Sequence, residues 1–271
     1  MTPQRIAKLV DDLRALGVAE GNVVMVHASL RAVGAVEGRA SGVVAALDEA
    51  VGRDGTLLMT LGAEDEWSWV NERPEAERAA LLAGASPFDH LLTPADPDVG
   101  VLAEVFRTAA GTIVSDHPEG RFGARGRLAQ DLLVGAPWND YYGPGSPLER
   151  LALYRGKVLR LGADPATTTL LHYAEYLCSV PNKRRAHRLR LVRGAEGPEL
   201  RSVDCLDDSD GIVEHEGEDY FATILKAYLR MGRARTGIVG QASSELIDAT
   251  DLLDFAVAWM NENLAESGGR S

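Results

Sequence analysis

The stretch Lys157 to Glu175 reads K-V-L-R-L-G-A-D-P-A-T-T-T-L-L-H-Y-A-E, and its reading decides the fold. Lys157 to Leu161 is a short apolar strand, Gly162 breaks it, and Asp164-Pro165 is turn chemistry that favours a helix start. Thr167 or Thr168 is placed to cap that helix. Side chains three apart share a helix face, so His172 and Glu175 project together beside the carboxyl end of a strand. Open α/β sheets bind ligands there. A histidine at a helix start is also a common structural group, so its meaning depends on what surrounds it.

The same strand-and-helix pattern recurs upstream. Ile6, Leu9, Val10, Leu13 and Leu16 lie at helical spacing, and Gly17 closes that helix. Asn22 to His27 is a nearly continuous apolar run, as expected of a strand covered on both faces, and it leads into His27-Ala28-Ser29-Leu30-Arg31. A helix to Val51, a turn at Asp54-Gly55 and the strand Thr56 to Leu61 complete a parallel pair with a right-handed crossover. Another short strand, Thr112 to Val114, runs into the polar segment Ser115 to Ala124. Residues 62–98 break the pattern and read as a long functional insertion, acidic and aromatic at its start. Beyond Lys183 basic and apolar residues alternate from Arg188 to Arg193, and after a turn Leu200 to Leu206 runs back, as in an antiparallel hairpin at an edge. Helices are predicted over 217–230 and 243–263 around a short strand near Thr236 to Gly240, with a frayed tail at 266–271. The expected fold is α/β: a mixed, mostly parallel central sheet flanked by helices, with that hairpin and the acidic insertion, in one domain over 1–271.

With 45% hydrophobic residues, 271 residues can bury a sizeable core. A net charge of −12 argues against nucleic acid and anionic membranes as partners, both of which need a basic surface. The N-terminal Met1 to Arg5 lacks the apolar core of a signal peptide, so a cytoplasmic location is expected. Two cysteines, Cys178 and Cys205, read as buried thiols. No H-E-x-x-H or C-x-x-C spacing suggests a metal, and no G-x-S-x-G suggests a nucleophilic serine. What remains is a histidine able to take a proton near neutrality, a glutamate able to hold it, and acidic loops with aromatics suited to a cationic sugar or amine. Backbone N–H groups at Ser29-Leu30 or around His117-Pro118 are candidates for phosphates. Those features fit transfer from an anionic carrier to a cationic acceptor.

Four motifs then carry a resemblance, in order along the chain. Val26-His27-Ala28-Ser29-Leu30-Arg31-Ala32-Val33-Gly34, Asp116-His117-Pro118-Glu119-Gly120-Arg121-Phe122, Gly145-Ser146-Pro147-Leu148-Glu149-Arg150-Leu151 and Thr169-Leu170-Leu171-His172-Tyr173-Ala174-Glu175 resemble those of the aminoglycoside 3-N-acetyltransferase family. The resemblance implies acetyl transfer from acetyl-CoA to the 3-amino group of a 2-deoxystreptamine antibiotic, which confers resistance, without a metal and in a monomer or homodimer. It makes His172 the general base with Glu175 as its partner, and it places His27, Ala28, Ser29, Leu30, Arg31, Ser115, His117, Pro118 and Thr168 against the coenzyme. The acceptor's ammonium groups would meet Glu64, Asp65, Glu66, Tyr142, Asp207, Asp208 and Asp210, the last three within the hairpin and acidic loop of 183–216. Attack is expected to be direct, with a hydroxyl of Thr168 or Thr169 or a loop N–H on the oxyanion. The chain departs from the family pattern at Ala166, where relatives often carry Asp or Asn, and at Ala28, where Ser is common. Alternatives are an acyltransferase of the same fold acting on another amine or amino sugar, and a non-catalytic protein that binds polyamines or coenzyme A.

Overall fold

A computed structural model describes residues 3–215 and 217–264, so the tail at 266–271 lies outside the described residues. The chain begins with α1 (Ile6–Leu16), β1 (Val23–Ala28), the short α2 (Leu30–Val33), α3 (Arg39–Val51) and β2 (Thr56–Thr60). The insertion follows and holds α4 (Glu75–Leu82). Next come α5 (Val101–Thr108), β3 (Ile113–Val114), β4 (Phe122–Gly126), α6 (Ala129–Leu133), α7 (Pro147–Leu153), β5 (Lys157–Leu161) and α8 (Leu170–Leu177). The hairpin β6 (Arg185–Gly194) and β7 (Gly197–Leu206) precedes α9 (Tyr220–Arg230), β8 (Arg235–Val239), β9 (Ala242–Asp248) and α10 (Ala249–Asn263). No helix of the described residues is long and apolar enough to cross a membrane.

Seven strands form one sheet in the order β3-β4-β2-β1-β5-β9-β8. The sheet is mixed as expected, but its parallel pairings are confined to the centre, where β1 lies between β2 and β5. The outer pairings are antiparallel, because two strands unread in the sequence fold back beside their neighbours. One is β4, whose Gly123 and Gly126 disguise it. A Cβ at Gly123 would come within 3.2 Å of Leu61 and Phe106 side chains, so the close packing there favours the glycine. The other is β9, expected to open the last helix. Its Ser243-Ser244-Glu245 mimics a helix start, yet the true cap is Asp248, which accepts from Asp251 N–H at 3.1 Å. The hairpin β6-β7 forms its own two-stranded sheet, apart from the edge of the large one.

Period-two alternation sorts the central strands into two cores. Val24 and Val26 of β1 and Leu159 and Leu161 of β5 face α1, α3 and α5, whereas Val23, Met25 and Val158 face the layer of α6 to α10. Both faces are therefore dry, which explains the continuous apolar runs. His27 and Arg160, paired across β1 and β5, follow the alternation onto the second face, where α8 packs. Gly162 turns the chain away from β5 at φ +60°, and a Cβ there would lie 2.4 Å from that of Ala32. Only glycine accommodates both demands.

One buried cation fastens the insertion to this frame. Arg121, fully buried at the start of β4, donates to the carbonyls of Gly62 at 3.3 Å and Pro94 at 3.1 Å, and to that of His90. Burial draws its guanidinium down to about 10, a desolvation cost offset by those carbonyls and by the charge of Glu104 and Asp89. Arg121→Leu removes the side-chain donor from the Gly62 and His90 carbonyls and leaves Pro94 only the Glu64 N–H, and is expected to destabilise the fold by about 2–4 kcal/mol. Denaturant unfolding measures that loss, and limited proteolysis is expected to shift its first cuts into 62–98.

Candidate active site

The turn after β5 is built by short-range hydrogen bonds. Asp164 accepts from Ala166 N–H at 2.9 Å and opens a 3-10 turn over Pro165–Thr167, after which α8 begins at Leu170. Thr167 and Thr168 do not cap α8: the Thr167 hydroxyl donates to the Asp164 carbonyl, and the Thr168 hydroxyl donates to that of Pro165. The bracing comes instead from the strand. Arg160 donates from Nη1 to the Thr168 hydroxyl and from Nη2 to the Ala163 carbonyl, both at 2.6 Å. Its charge is met by Glu245 of β9 at 3.5 Å. Position 166, alanine here, contributes only its N–H to this turn.

On the first turn of α8, His172 Nδ1 lies 2.8 Å from Oε2 of Glu175. Against a carboxylate Nδ1 is the donor, which leaves the Nε2 lone pair free. Glu175 is buried, and its other oxygen accepts from the Tyr220 hydroxyl, which itself accepts from Ile212 N–H at 3.2 Å. Tyr142 stacks on the imidazole with centroids 4.9 Å apart and planes 10° from parallel, and Phe221 meets it edge-on at 4.7 Å. Burial alone would depress the His172 imidazole, but the hydrogen bond and charge of Glu175, then Asp208 and Asp219, outweigh it and hold the group above its ordinary value.

Two cavities meet at this histidine. One, of about 240 Å³, lies at the carboxyl ends of the three parallel strands, lined by Val26 to Ser29, Met59, Thr60, Ala163, Asp164, Thr167, Thr169 and His172. The other, of about 330 Å³, is acidic and is lined by His172, Glu175, Asp208, Asp210, Glu218, Asp219, Tyr220 and Phe221. A third and larger one, of about 610 Å³, lies under the insertion against Glu64, Asp65, Glu66, Trp67, Pro118, Glu119 and Arg190. Among the described residues no group of three or more His, Cys, Asp or Glu is gathered to hold a metal ion.

The residues singled out in the sequence divide accordingly. His27, Ala28 and Ser29 line the strand-end cavity, whereas Leu30 and Arg31 have passed into α2 and are not among its walls. Ser115 and His117 are buried groups of the fold. The Ser115 hydroxyl accepts from Phe122 N–H at 2.8 Å, while His117 bonds the Trp138 carbonyl through Nε2 at 2.8 Å and accepts Glu119 and Gly120 N–H on Nδ1. The N–H groups after Pro118 are thereby occupied, as is that of Ser29, which donates to Leu161. Thr168 is buried behind the turn, and Pro118 lines the larger cavity. Tyr142 backs the imidazole and faces none of the three cavities.

The acidic residues are similarly sorted. Asp208 and Asp210 line the acidic cavity, but Asp207 accepts the N–H groups of Ser209 and Asp210 and shapes their loop. Glu64, Asp65 and Glu66 line the larger cavity. Two arginines without an assigned role connect these groups. Arg188 holds Asp208 at 2.6 Å and lies 3.9 Å from Glu119, and Arg190 pairs with both Glu119 and Asp65. Strand alternation, legible as Arg188-Leu189-Arg190, puts both guanidinium groups on one face of β6. Tyr220 had no comparable signal, because its contact with Glu175 spans 45 residues.

The family model for aminoglycoside 3-N-acetyltransferase matches residues 25–261. Aminoglycoside N(3)-acetyltransferase VII of Streptomyces paromomycinus is 37% identical, with 98% of this chain and 95% of that protein covered. Among solved structures, AAC-IIIb in a binary complex with CoASH matches with a TM-score of 0.91 at 35% identity over 100% of both chains. Sisomicin-bound AAC-VIa matches with a TM-score of 0.89 at 34% identity, over 96% of this chain and 99% of the other. With histidine and glutamate paired at the strand ends and likeness running the length of the chain, this protein belongs to the aminoglycoside 3-N-acetyltransferase family and is an acyltransferase.

Proposed function

We propose that the protein transfers acetyl from acetyl-CoA to the 3-amino group of a 2-deoxystreptamine aminoglycoside, with His172 as general base. The observation that carries this reading is that His172 lines both the strand-end cavity and the acidic cavity, so a donor in one and an amine in the other meet at its ring. The coenzyme's thioester arm occupies the strand-end cavity beside Ala28, Ser29 and Thr169. The ammonium groups of the acceptor lie in the acidic cavity, where Asp210 has no ion pair among the described residues and is free to take one. A CoASH-bound relative and a sisomicin-bound relative support the two ligand classes.

Attack is direct. His172 Nε2 removes the proton as the amine nitrogen adds to the thioester carbon, and Glu175 stabilises the imidazolium that results. The C–S bond then breaks, and the proton passes from the imidazolium to the thiolate. Cys178 and Cys205 are buried and line neither cavity, which supports a route without an acyl-enzyme. For the oxyanion, the Thr168 hydroxyl is a poor donor, because its proton goes to the Pro165 carbonyl. The Thr169 hydroxyl accepts from the Thr60 hydroxyl at 3.3 Å and keeps its own proton to give.

Thiol release from acetyl-CoA is the direct test, against 4,5- and 4,6-disubstituted aminoglycosides and apramycin. Turnover is expected with at least one, and silence with all of them overturns the assignment. His172→Ala is expected to lower kcat by about 10²- to 10⁴-fold, and full activity in that variant removes the general-base role. A base must be neutral to act, and His172 is held above 6.5. The kcat/KM profile is therefore expected to rise with pH through a limb centred above that value. Glu175→Gln removes the charge that favours the imidazolium, so the limb is expected to move to lower pH while kcat falls.

A further inference from the structure

One group in the strand-end cavity has no part in that scheme. His27 ends the buried run of β1, stands opposite Arg160 across the β1–β5 pair, and lines the cavity that His172 also lines. Its Nε2 is buried without a hydrogen-bond partner. Nδ1 makes no hydrogen bond among the described residues and is not one of the buried unpartnered atoms, so it is the ring nitrogen open to the cavity. Burial, and then the charge of Arg160, draw the imidazole down to about 3, so it is neutral and carries a single N–H. Two tautomers are available. For the buried nitrogen, an unpartnered acceptor is more readily tolerated than an unpartnered N–H. The proton therefore belongs on Nδ1, directed at the cavity.

We propose that His27 donates from Nδ1–H to the carbonyl oxygen of the bound thioester and stabilises the oxyanion that forms on attack. The inference rests on the acetyl-transfer reading above. A neutral imidazole suits the task because it gives a hydrogen bond to the developing O⁻ without surrendering its proton to the thiolate. In the balanced step the amine nitrogen bonds the carbonyl carbon and the carbonyl π pair moves to oxygen, where His27 and the Thr169 hydroxyl receive it. His172 takes the amine proton. As the oxygen pair returns, the C–S bond breaks, and the sulfur leaves with its electrons and gains the proton held by His172. His27 begins and ends with the same proton.

Two substitutions separate the ring nitrogens. The amide nitrogen of Asn is attached at Cγ, as Nδ1 is in His, whereas that of Gln sits one atom further out, near the place of Nε2. With acetyl-CoA and an accepted aminoglycoside, His27→Gln is expected to lower kcat by about 10²-fold with KM for acetyl-CoA little changed, as for loss of a bond made in the transition state. His27→Asn is expected to stay within about tenfold of the parent. A merely structural role would lower the melting temperature and leave the two amides indistinguishable. Equal kcat for the two variants, or a loss confined to KM, overturns the inference. Imidazole nitrogen NMR on the unsubstituted protein tests it without any variant, since a His27 ring protonated at Nε2 is incompatible with it. If the parent releases no thiol with any acceptor, the acetyl-transfer reading falls and this inference with it. An active parent whose variants behave alike overturns the His27 role only.

Discussion

A fully enclosed arginine at the end of β5 determines where the chemistry stands. Arg160 is two residues from Gly162, and its two terminal nitrogens hold the Ala163 carbonyl and the Thr168 hydroxyl on either side of the 3-10 turn. Desolvating a guanidinium costs several kcal/mol and is tolerable only where bonds and counter-charge repay most of it. Glu245, paired with Arg160 across β5 and β9, supplies the counter-charge. The antiparallel strand absent from a simple βαβ reading thus has a function in the site, since it carries the carboxylate that allows the arginine to stay. With the turn held, α8 leaves the sheet in the direction that brings His172 to the cavity at the ends of the parallel strands.

Charge in the cleft follows from the same need for pairing. The protein carries a net charge of −12, yet the carboxylates nearest the imidazole are not left to repel one another. Glu175 is bonded by His172 and Tyr220, and Asp208 by Arg188 and Tyr141. Burial would raise the Asp208 carboxyl, but Arg188 and then His172 bring it below its ordinary value, so the negative charge facing the acidic cavity persists. Arg188 and Arg190 alternate with Asp208, Glu119 and Asp65 along one face of the hairpin and join the wall of the acidic cavity to that of the larger one. The hairpin is separate from the large sheet, and these ion pairs with Phe88 N–H to the Leu191 carbonyl at 2.9 Å are part of what seats it over the insertion.

Much of this was legible along the chain. The apolar runs of β1, β2 and β5, the glycine after β5, and the i, i+3 spacing of His172 and Glu175 all express local chemistry, so the motif and its place at the strand ends could be read directly. The strands β4 and β9 could not, because Gly123 answers close packing against the distant Leu61 and Phe106 and β9 is selected by pairing on β5 against its own helix-like opening. Among the site residues, Ser115, His117 and Thr168 were placed against the coenzyme by the family resemblance, and their hydrogen-bond partners were not legible in one dimension. In the structure these side chains bond Phe122, Trp138 and Arg160.

What the sequence by itself determined was periodicity and chemical type: which segments are strands buried on two faces, where the chain must turn, and which side chains can exchange a proton. Only the tertiary structure decided which of those side chains remain free. Whether a carboxylate, hydroxyl or imidazole faces a cavity depends on whether some distant residue has already taken its hydrogen bond. Tyr220 on Glu175, Arg188 on Asp208 and Arg160 on Thr168 are settled by packing across the sheet, and the open Nδ1 of His27 is settled by the want of any such partner.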